Sequence, residues 1–181
     1  MISPIRLFLR AATAADHGRV DRAYACFDLS DHRAYGDFLV AHALALRPIE
    51  RAIAAVAPWP DWRPRWPALA QDLDELGRAA PAHYATLPTP DVAGAWGMLY
   101  VVEGSRLGGA LLARQVGPGL PRRYLAPEPD AASGWPAFQA ALTAAAESGD
   151  DGWLDRATAG AKRAFRHFED AAMPQMEVAC G

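Results

Sequence analysis

Lysine is almost absent from this 181-residue sequence, because Lys162 is its only copy and arginine supplies the rest of the 18 basic residues. The 21 acidic residues outnumber the basic ones, which gives a net charge of −3. A chain with this balance has no strong positive field for a nucleic-acid backbone, so nucleic-acid binding is disfavoured. Cysteine is also scarce, and its two copies form no CxxC pair, which argues against a zinc ribbon or a disulfide scaffold.

Long apolar runs are missing as well. No stretch reaches the roughly 20 apolar residues that a membrane-spanning helix needs. The N-terminal segment MISPIRLFLRAATAADH lacks the charged start, long apolar run and cleavage site of a secretory signal. These features predict a cytoplasmic protein with no membrane partner.

Alternating Val, Ile and Thr, the pattern of β-strands, is absent too. Ala-rich amphipathic segments separated by turn clusters predict an all-α fold of six or seven helices. We expect one domain over residues 1–181, since the loops are too short and too internal to be linkers. Ser3 and Ser30 are candidate N-caps, and Pro48 is expected to break or kink its helix. The predicted helices span residues 4–25, 30–57, 67–79, 91–116, 135–148 and 152–172, and the main loops span 58–67 and 117–134.

Three glycines stand inside the apolar helix 91–116, in the stretch YVVEGSRLGG at residues 100–109. Each interior glycine costs about 1 kcal/mol relative to alanine. The stretch lacks the preceding strand and the spacing of a P-loop or a dinucleotide fingerprint. Gly104 and Gly108 are one helical turn apart and present bare backbone on one face. This pattern indicates either close packing of two helices or a helix laid flat against a planar ligand.

His17 is the candidate metal ligand of the first helix. The neighbouring Ala-rich surface is low enough for a flat macrocycle. Asp21 follows one turn later on the same face, where it can orient the imidazole directly or through water. Arg10 precedes His17 by two turns, about 10 Å along the axis. Of the other histidines, His42 is expected in the core or at the surface, and His167 could approach the pocket.

The pattern RxxTxxxHxxxD in the first helix, followed some 85 residues later by YVVEGSRLGG, resembles the haem oxygenase family, and most closely its bacterial biliverdin-producing branch. LAQDLDELG at 69–77 and AKRAFRHFED at 161–170 agree with this resemblance, which covers roughly residues 5–170. It implies an all-α domain that holds haem between a proximal and a distal helix.

The resemblance also implies roles for individual residues. His17 would be the proximal iron ligand, and the catalytic distal helix would contribute Gly104, Ser105 and Gly108. Ser105 stands where many members carry an Asp that anchors a proton-delivering water. The remaining expected haem contacts are Arg10, Asp21, Tyr100, Arg106, Gly109 and Phe165. Arg10 matches a propionate contact and Tyr100 lies near another, whereas Arg106 could reach solvent, meet a propionate or crowd the pocket.

The implied reaction is cleavage of haem to biliverdin, CO and ferrous iron, with O2 and electrons from outside the chain. Haem would be both cofactor and substrate. A ferredoxin or a reductase is the implied electron donor, and a phytochrome is a candidate acceptor of biliverdin. Two alternatives remain open at this stage: a non-catalytic haem or biliverdin binding protein on the same fold, and an unrelated helical interaction module.

Overall fold

The computed structural model describes the backbone of residues 4–126 and 131–179, and the side chains of 4–126 and 134–175. The elements within these ranges are seven helices with no strand, which confirms the all-α prediction. None of the described helices is long and apolar enough to cross a membrane. The helices are α1 (Pro4–Ala12), α2 (Ala14–Tyr24), α3 (His32–Val56), α4 (Trp66–Glu75), α5 (Val92–Leu112), α6 (Ala131–Glu147) and α7 (Trp153–Ala179).

The first predicted helix is divided in two at Thr13, so the prediction of one continuous helix over 4–25 was wrong. The Thr13 hydroxyl donates to the carbonyl of Leu9 at 2.7 Å, a side-chain bond that competes with regular helix geometry. Hydrogen bonds from Thr13 N–H to Leu9 and from His17 N–H to Thr13 continue across the junction. The two helices therefore remain joined, and α1 begins at Pro4 as expected. The candidate cap Ser3 lies outside the described residues.

α3 differs from its prediction at the cap and at Pro48. Asp31, rather than Ser30, caps the helix by accepting the N–H of Ala34 at 2.8 Å. Pro48 lies inside a continuous helix. A proline removes the N–H that would bond the carbonyl four residues earlier, here Leu44. Burial lowers the pKa of His167 of α7, while the backbone of Leu44 acts in the opposite direction, which places this imidazole beside the carbonyl that Pro48 leaves without its usual helical donor.

The later helices are displaced from their predicted ends by a few residues. α6 begins at Ala131, before the predicted start, and α7 continues through Pro174 to Ala179. Asp91 caps α5 by accepting the N–H of Gly94 at 2.7 Å. Helix ends are the least certain part of a prediction from sequence pattern, because tertiary packing decides them.

The centre of the fold is a direct backbone contact between α5 and α7. A Cβ atom placed on Gly97 would lie 1.8 Å from the carbonyl oxygen of Ala157, and one on Gly160 would lie 2.1 Å from that of Gly94. No real side-chain atom fits at such distances. The glycines that pack two helices together are therefore Gly94, Gly97 and Gly160, and they lie outside the stretch 104–109.

Two glycines of α5 should respond to the same substitution in opposite directions. Gly97→Ala forces a methyl group into the backbone of α7, and we expect a loss of about 2 kcal/mol or more in the free energy of unfolding. Gly108→Ala should raise it by about 0.5–1 kcal/mol, because nothing opposes the methyl group and alanine favours the helix. Urea unfolding of the ligand-free variants measures both. Equal effects of the two substitutions would contradict the packing assignment.

Candidate functional site

One face of α5 is left bare in the middle of the helix. A Cβ atom on Gly108 would meet no atom of the surrounding described structure within 4 Å, and one on Gly104 would meet only the Trp135 ring, at 3.9 Å. Leu107 and Leu111 lie on the same side of the helix and are 50% and 62% exposed. Exposed leucines beside uncovered backbone mark a surface that is shaped for an apolar ligand.

Arg106 and Gly109 are directed away from this bare face. Arg106 donates to the Glu103 carboxylate at 3.0 Å and to the carbonyl of Arg63 at 2.7 Å. Gly109 is buried, and a Cβ atom there would lie 3.4 Å from the carbonyl oxygen of Leu125. Both residues attach α5 to neighbouring loops, so neither belongs to the bare face.

Ser105 is held by an arginine that the sequence did not single out. The hydroxyl donates to the carbonyl of Val102 at 2.8 Å and accepts from the guanidinium of Arg65 at 2.6 Å. Arg65 is only 5% exposed, and it also donates to the carbonyl of Tyr124 at 2.9 Å. Its guanidinium lies 4.2 Å from the centre of the Tyr124 ring. A fixed positive charge therefore stands directly behind the serine of the bare helix.

His17 projects from α2 with 62% of its side chain exposed. Its Nδ1 lies 2.9 Å from a carboxylate oxygen of Asp21, which is the pairing that the sequence predicts. A carboxylate on Nδ1 favours the tautomer with the proton on that nitrogen and leaves the lone pair of Nε2 available. An exposed imidazole oriented in this way has the donor chemistry of a metal ligand.

Phe165 of α7 packs against His17. The two ring centres are 5.6 Å apart in an edge-on arrangement, and Phe165 is 7% exposed. An ion-pair bridge fixes α2 to α7 at the same level, because Arg19 donates to Asp16 at 2.5 Å and to Glu169 at 3.0 Å. His17 is thus set on a rigid pair of helices.

Tyr100 lies near Arg10, and Arg6 joins them. Burial raises the pKa of the Tyr100 hydroxyl, while the charges of Arg6 and Arg10 act in the opposite direction, which places both guanidinium groups near it. Arg6 also lies over the ring of Trp135, at 5.9 Å from its centre. Because Trp135 contacts the position of Gly104, α1, α5 and α6 meet at this end of the bare face.

Arg6, Arg65 and Trp135 were not anticipated as parts of the site. Arg65 lies in a Pro- and Trp-rich loop with no periodic pattern, and Trp135 reads in sequence as an ordinary apolar residue of a helix. One signal was available for Arg6, since it precedes Arg10 by four residues and so shares its helix face.

The competing histidines have structural roles. His42 is half-buried and packs between aromatic rings, and its Nδ1 lies 2.8 Å from the Tyr124 hydroxyl. Removal from water, with a smaller contribution from the charge of Arg65, lowers the pKa of His42 to about 3. His167 faces α3 beside the backbone of Leu44, and its Nε2 has no hydrogen-bond partner among the described residues. Only His17 combines an exposed ring with a carboxylate partner in the described structure.

Similarity to known proteins bears on the family of this chain. No protein-family profile matches the chain. A haem oxygenase from Xanthomonas campestris pv. campestris is 40% identical to it over 116 residues, which cover 59% of this chain and 66% of that protein. The crystal structures of NO- and CO-bound haem oxygenase from Neisseria meningitidis match it with a TM-score of 0.83 at 25% identity, over 98% of this chain and 94% of that one. The chain belongs to the haem oxygenase family. The resemblance carried by the sequence motifs is thereby confirmed.

The residues of this family member fit a haem group. The donor set offers an exposed imidazole whose Nε2 is available, uncovered helix backbone between exposed leucines, and two arginines beside a tyrosine. A neutral imidazole is a usual axial ligand of haem iron. Bare glycine backbone can approach a flat ring, and guanidinium groups pair with carboxylates.

His42, enclosed by aromatic rings, should make the protein sensitive to acid. Its pKa is about 3 in the folded state and about 6.5 when unfolded. Between these values the unfolded chain binds a proton that the folded chain does not, so stability rises with pH and is lost as pH falls from 6.5 towards 3. One such proton changes the free energy of unfolding by about 1.4 kcal/mol per pH unit.

Urea unfolding at several pH values between 4 and 6 tests this expectation. In His42→Gln, the slope of the free energy of unfolding against pH should be smaller than in wild type by about 1.4 kcal/mol per pH unit, the equivalent of one proton. The matched control is His32→Gln, which changes an exposed histidine at the start of the same helix and should keep the wild-type slope. Identical slopes in wild type and His42→Gln would contradict a histidine that stays neutral in the folded protein.

Proposed function

We propose that this chain is a haem oxygenase that cleaves haem to biliverdin, CO and ferrous iron, using O2 and electrons from an external donor. The observation that carries the proposal is the bare face at Gly104 and Gly108. Glycines placed for helix packing are filled by a neighbouring backbone, as at Gly97. Those at 104 and 108 face open space, so their missing side chains make room for something other than protein.

The proximal side of the proposed site is provided by α2. The Nε2 of His17 would bind the iron, with Asp21 holding the proton on Nδ1 and fixing the angle of the ring. Phe165 limits rotation of the imidazole by packing against its edge. The carboxylate of Asp21 on Nδ1 would also make Nε2 a stronger donor to the iron.

The distal side is provided by α5. Bound haem supplies the iron at which O2 is reduced and the porphyrin carbon that is oxidised. Gly104 and Gly108 would leave space for O2 on that side. The bare backbone of α5 at these two glycines would restrict the direction in which O2 can lie. Because the Ser105 hydroxyl donates to Val102 and accepts from Arg65, one lone pair of its oxygen would remain to anchor an ordered water, which could take part in proton delivery.

The carboxylate edge of haem would lie towards α1. Arg10 is exposed and close to Tyr100, which gives a positive charge and a phenolic donor at one end of the bare face. Both groups suit a propionate, and a guanidinium can bind it through two parallel hydrogen bonds.

The electrons require a partner. Because cleavage to biliverdin reduces O2, we infer a ferredoxin or a flavoprotein reductase as donor. We place the reaction in the cytoplasm, where such donors operate. A phytochrome is one proposed acceptor of the biliverdin, since that protein class uses a linear tetrapyrrole.

Hemin titration of the purified chain tests binding and turnover in one cuvette. We expect a stoichiometric complex with the Soret band of a histidine-ligated haem, and its conversion to a biliverdin spectrum on adding ascorbate under O2. His17→Ala should lose the histidine-ligated spectrum, while His83→Ala, an exposed histidine elsewhere, should keep it. A hemin complex that survives reductant and O2 unchanged would contradict the enzyme proposal and leave a haem-binding protein.

A graded substitution at Gly108 tests the bare face itself. Gly108→Leu fills the open space with a side chain and should weaken hemin binding at least about tenfold, an amount equal to about 1.4 kcal/mol. Gly108→Ala, with a single methyl group, should weaken it much less. Both variants should unfold no more easily than wild type in the absence of hemin. Unchanged hemin affinity in Gly108→Leu would show that the ligand lies elsewhere.

A further inference from the structure

We propose that Arg6 is the second carboxylate-binding residue of the haem site, so that α1 holds one haem propionate with Arg10 and the other with Arg6. This inference rests on the proposed function and assigns a role to a residue that the family motif does not include. Two cations on one helix, rather than one, would then set how the porphyrin is oriented within its own plane.

The spacing of the two arginines on α1 supports a paired role. Residues four apart share a helix face, with Cβ atoms about 6 Å apart. Haem carries its two propionates on neighbouring pyrrole rings at one edge. Two arginines on one face of a single rigid helix therefore present two cations side by side to one edge of a ring, which a lone arginine cannot do.

The Trp135 ring fixes the position of Arg6. The guanidinium carbon lies over the indole at 5.9 Å from the ring centre, within the range of a cation–π contact. Such a contact uses no hydrogen-bond acceptor, so the N–H groups of the guanidinium stay available for a carboxylate. Within the described part of the chain, neither Arg6 nor Arg10 donates a hydrogen bond or forms an ion pair, although other arginines such as Arg19 do both.

The location of Arg6 matches the bare face. Trp135, beneath the Arg6 guanidinium, is also the nearest side chain to the missing Cβ of Gly104. Tyr100, one turn before Gly104, lies near both arginines. A ligand that covers Gly104 is therefore within reach of Arg6. Arg6 is itself half-buried, so its charge is less screened than that of Arg10, which is exposed.

Two anchors have a consequence that one anchor lacks. A ring held by one propionate could turn about that attachment and place a different meso carbon at the position where oxidation occurs. With both propionates held, a single orientation is favoured, and one biliverdin isomer should dominate. Arg6 is thus a positioning residue, because it acts on the orientation of the substrate and not on the bonds that change.

The experiment compares hemin with haem dimethyl ester, in which both propionates are uncharged, on wild type, Arg6→Gln and Arg10→Gln. Arg6→Gln should weaken hemin binding by about tenfold, the scale of one lost charge-assisted hydrogen bond. It should leave the affinity for the ester unchanged. Turnover by Arg6→Gln should give a mixture of biliverdin isomers by chromatography, where wild type gives one predominant isomer. Arg33→Gln, an exposed arginine at the start of α3, is the matched control and should behave as wild type with both ligands.

Each other outcome overturns the proposal in a recognisable way. If Arg6→Gln weakens hemin and ester equally, Arg6 supports only the packing of Trp135. If hemin affinity and isomer ratio both stay at wild-type values, Arg6 does not bind a propionate. Arg6→Lys keeps the charge and should restore most of the hemin affinity, so a failure of Arg6→Lys to do so in a folded protein also counts against the proposal. Wild type that binds no hemin would instead refute the proposed function itself.

Discussion

The contact between the backbones of α5 and α7 is the constraint on which the rest of the structure depends. Gly94 and Gly97 on one helix and Gly160 on the other allow the two axes to approach until backbone atoms touch. Close approach of the two axes brings more atoms of α5 and α7 into contact and so gains dispersion energy along both helices. Because α7 also packs on α2, this one contact places the helix that bears His17 relative to the helix that bears Gly104.

The two faces of α5 then serve different purposes. On one side, Gly109 and Arg106 are covered by loops, and Arg65 connects Ser105 to the backbone of Tyr124. These loops are held by buried carboxylates, since Glu50 accepts the N–H groups of Arg65 and Trp66 and so caps α4 from another helix. On the other side the backbone is left open. α5 can stay helical despite its interior glycines because the residues on its opposite face make many contacts with these loops.

The histidines illustrate how burial separates residues of one type into different roles. His42 is surrounded by aromatic rings and stays neutral, which suits a hydrogen bond to Tyr124 in the core. His167 packs against α3 beside the Leu44 carbonyl that Pro48 leaves without its usual helical donor. Among the described residues, only His17 combines an exposed ring with a carboxylate that orients it. The same type of side chain therefore packs among aromatic rings, fills a helix–helix interface or is the candidate ligand, according to its neighbours.

The sequence by itself determined the helical class, most helix positions and the two segments of the site that are local in the chain. His17 with Asp21, and Gly104 with Gly108, are each related by one helical turn, and such spacings are readable without a structure. Only the tertiary structure decided which glycines pack and which stay open, because that depends on what lies opposite each one. It likewise decided that Arg106 turns away from the bare face and that Arg65 stands behind Ser105. The pairing of Arg6 with Trp135 joins residues 129 positions apart. Contacts between such distant residues arise from the packing of whole helices, and no local pattern encodes them.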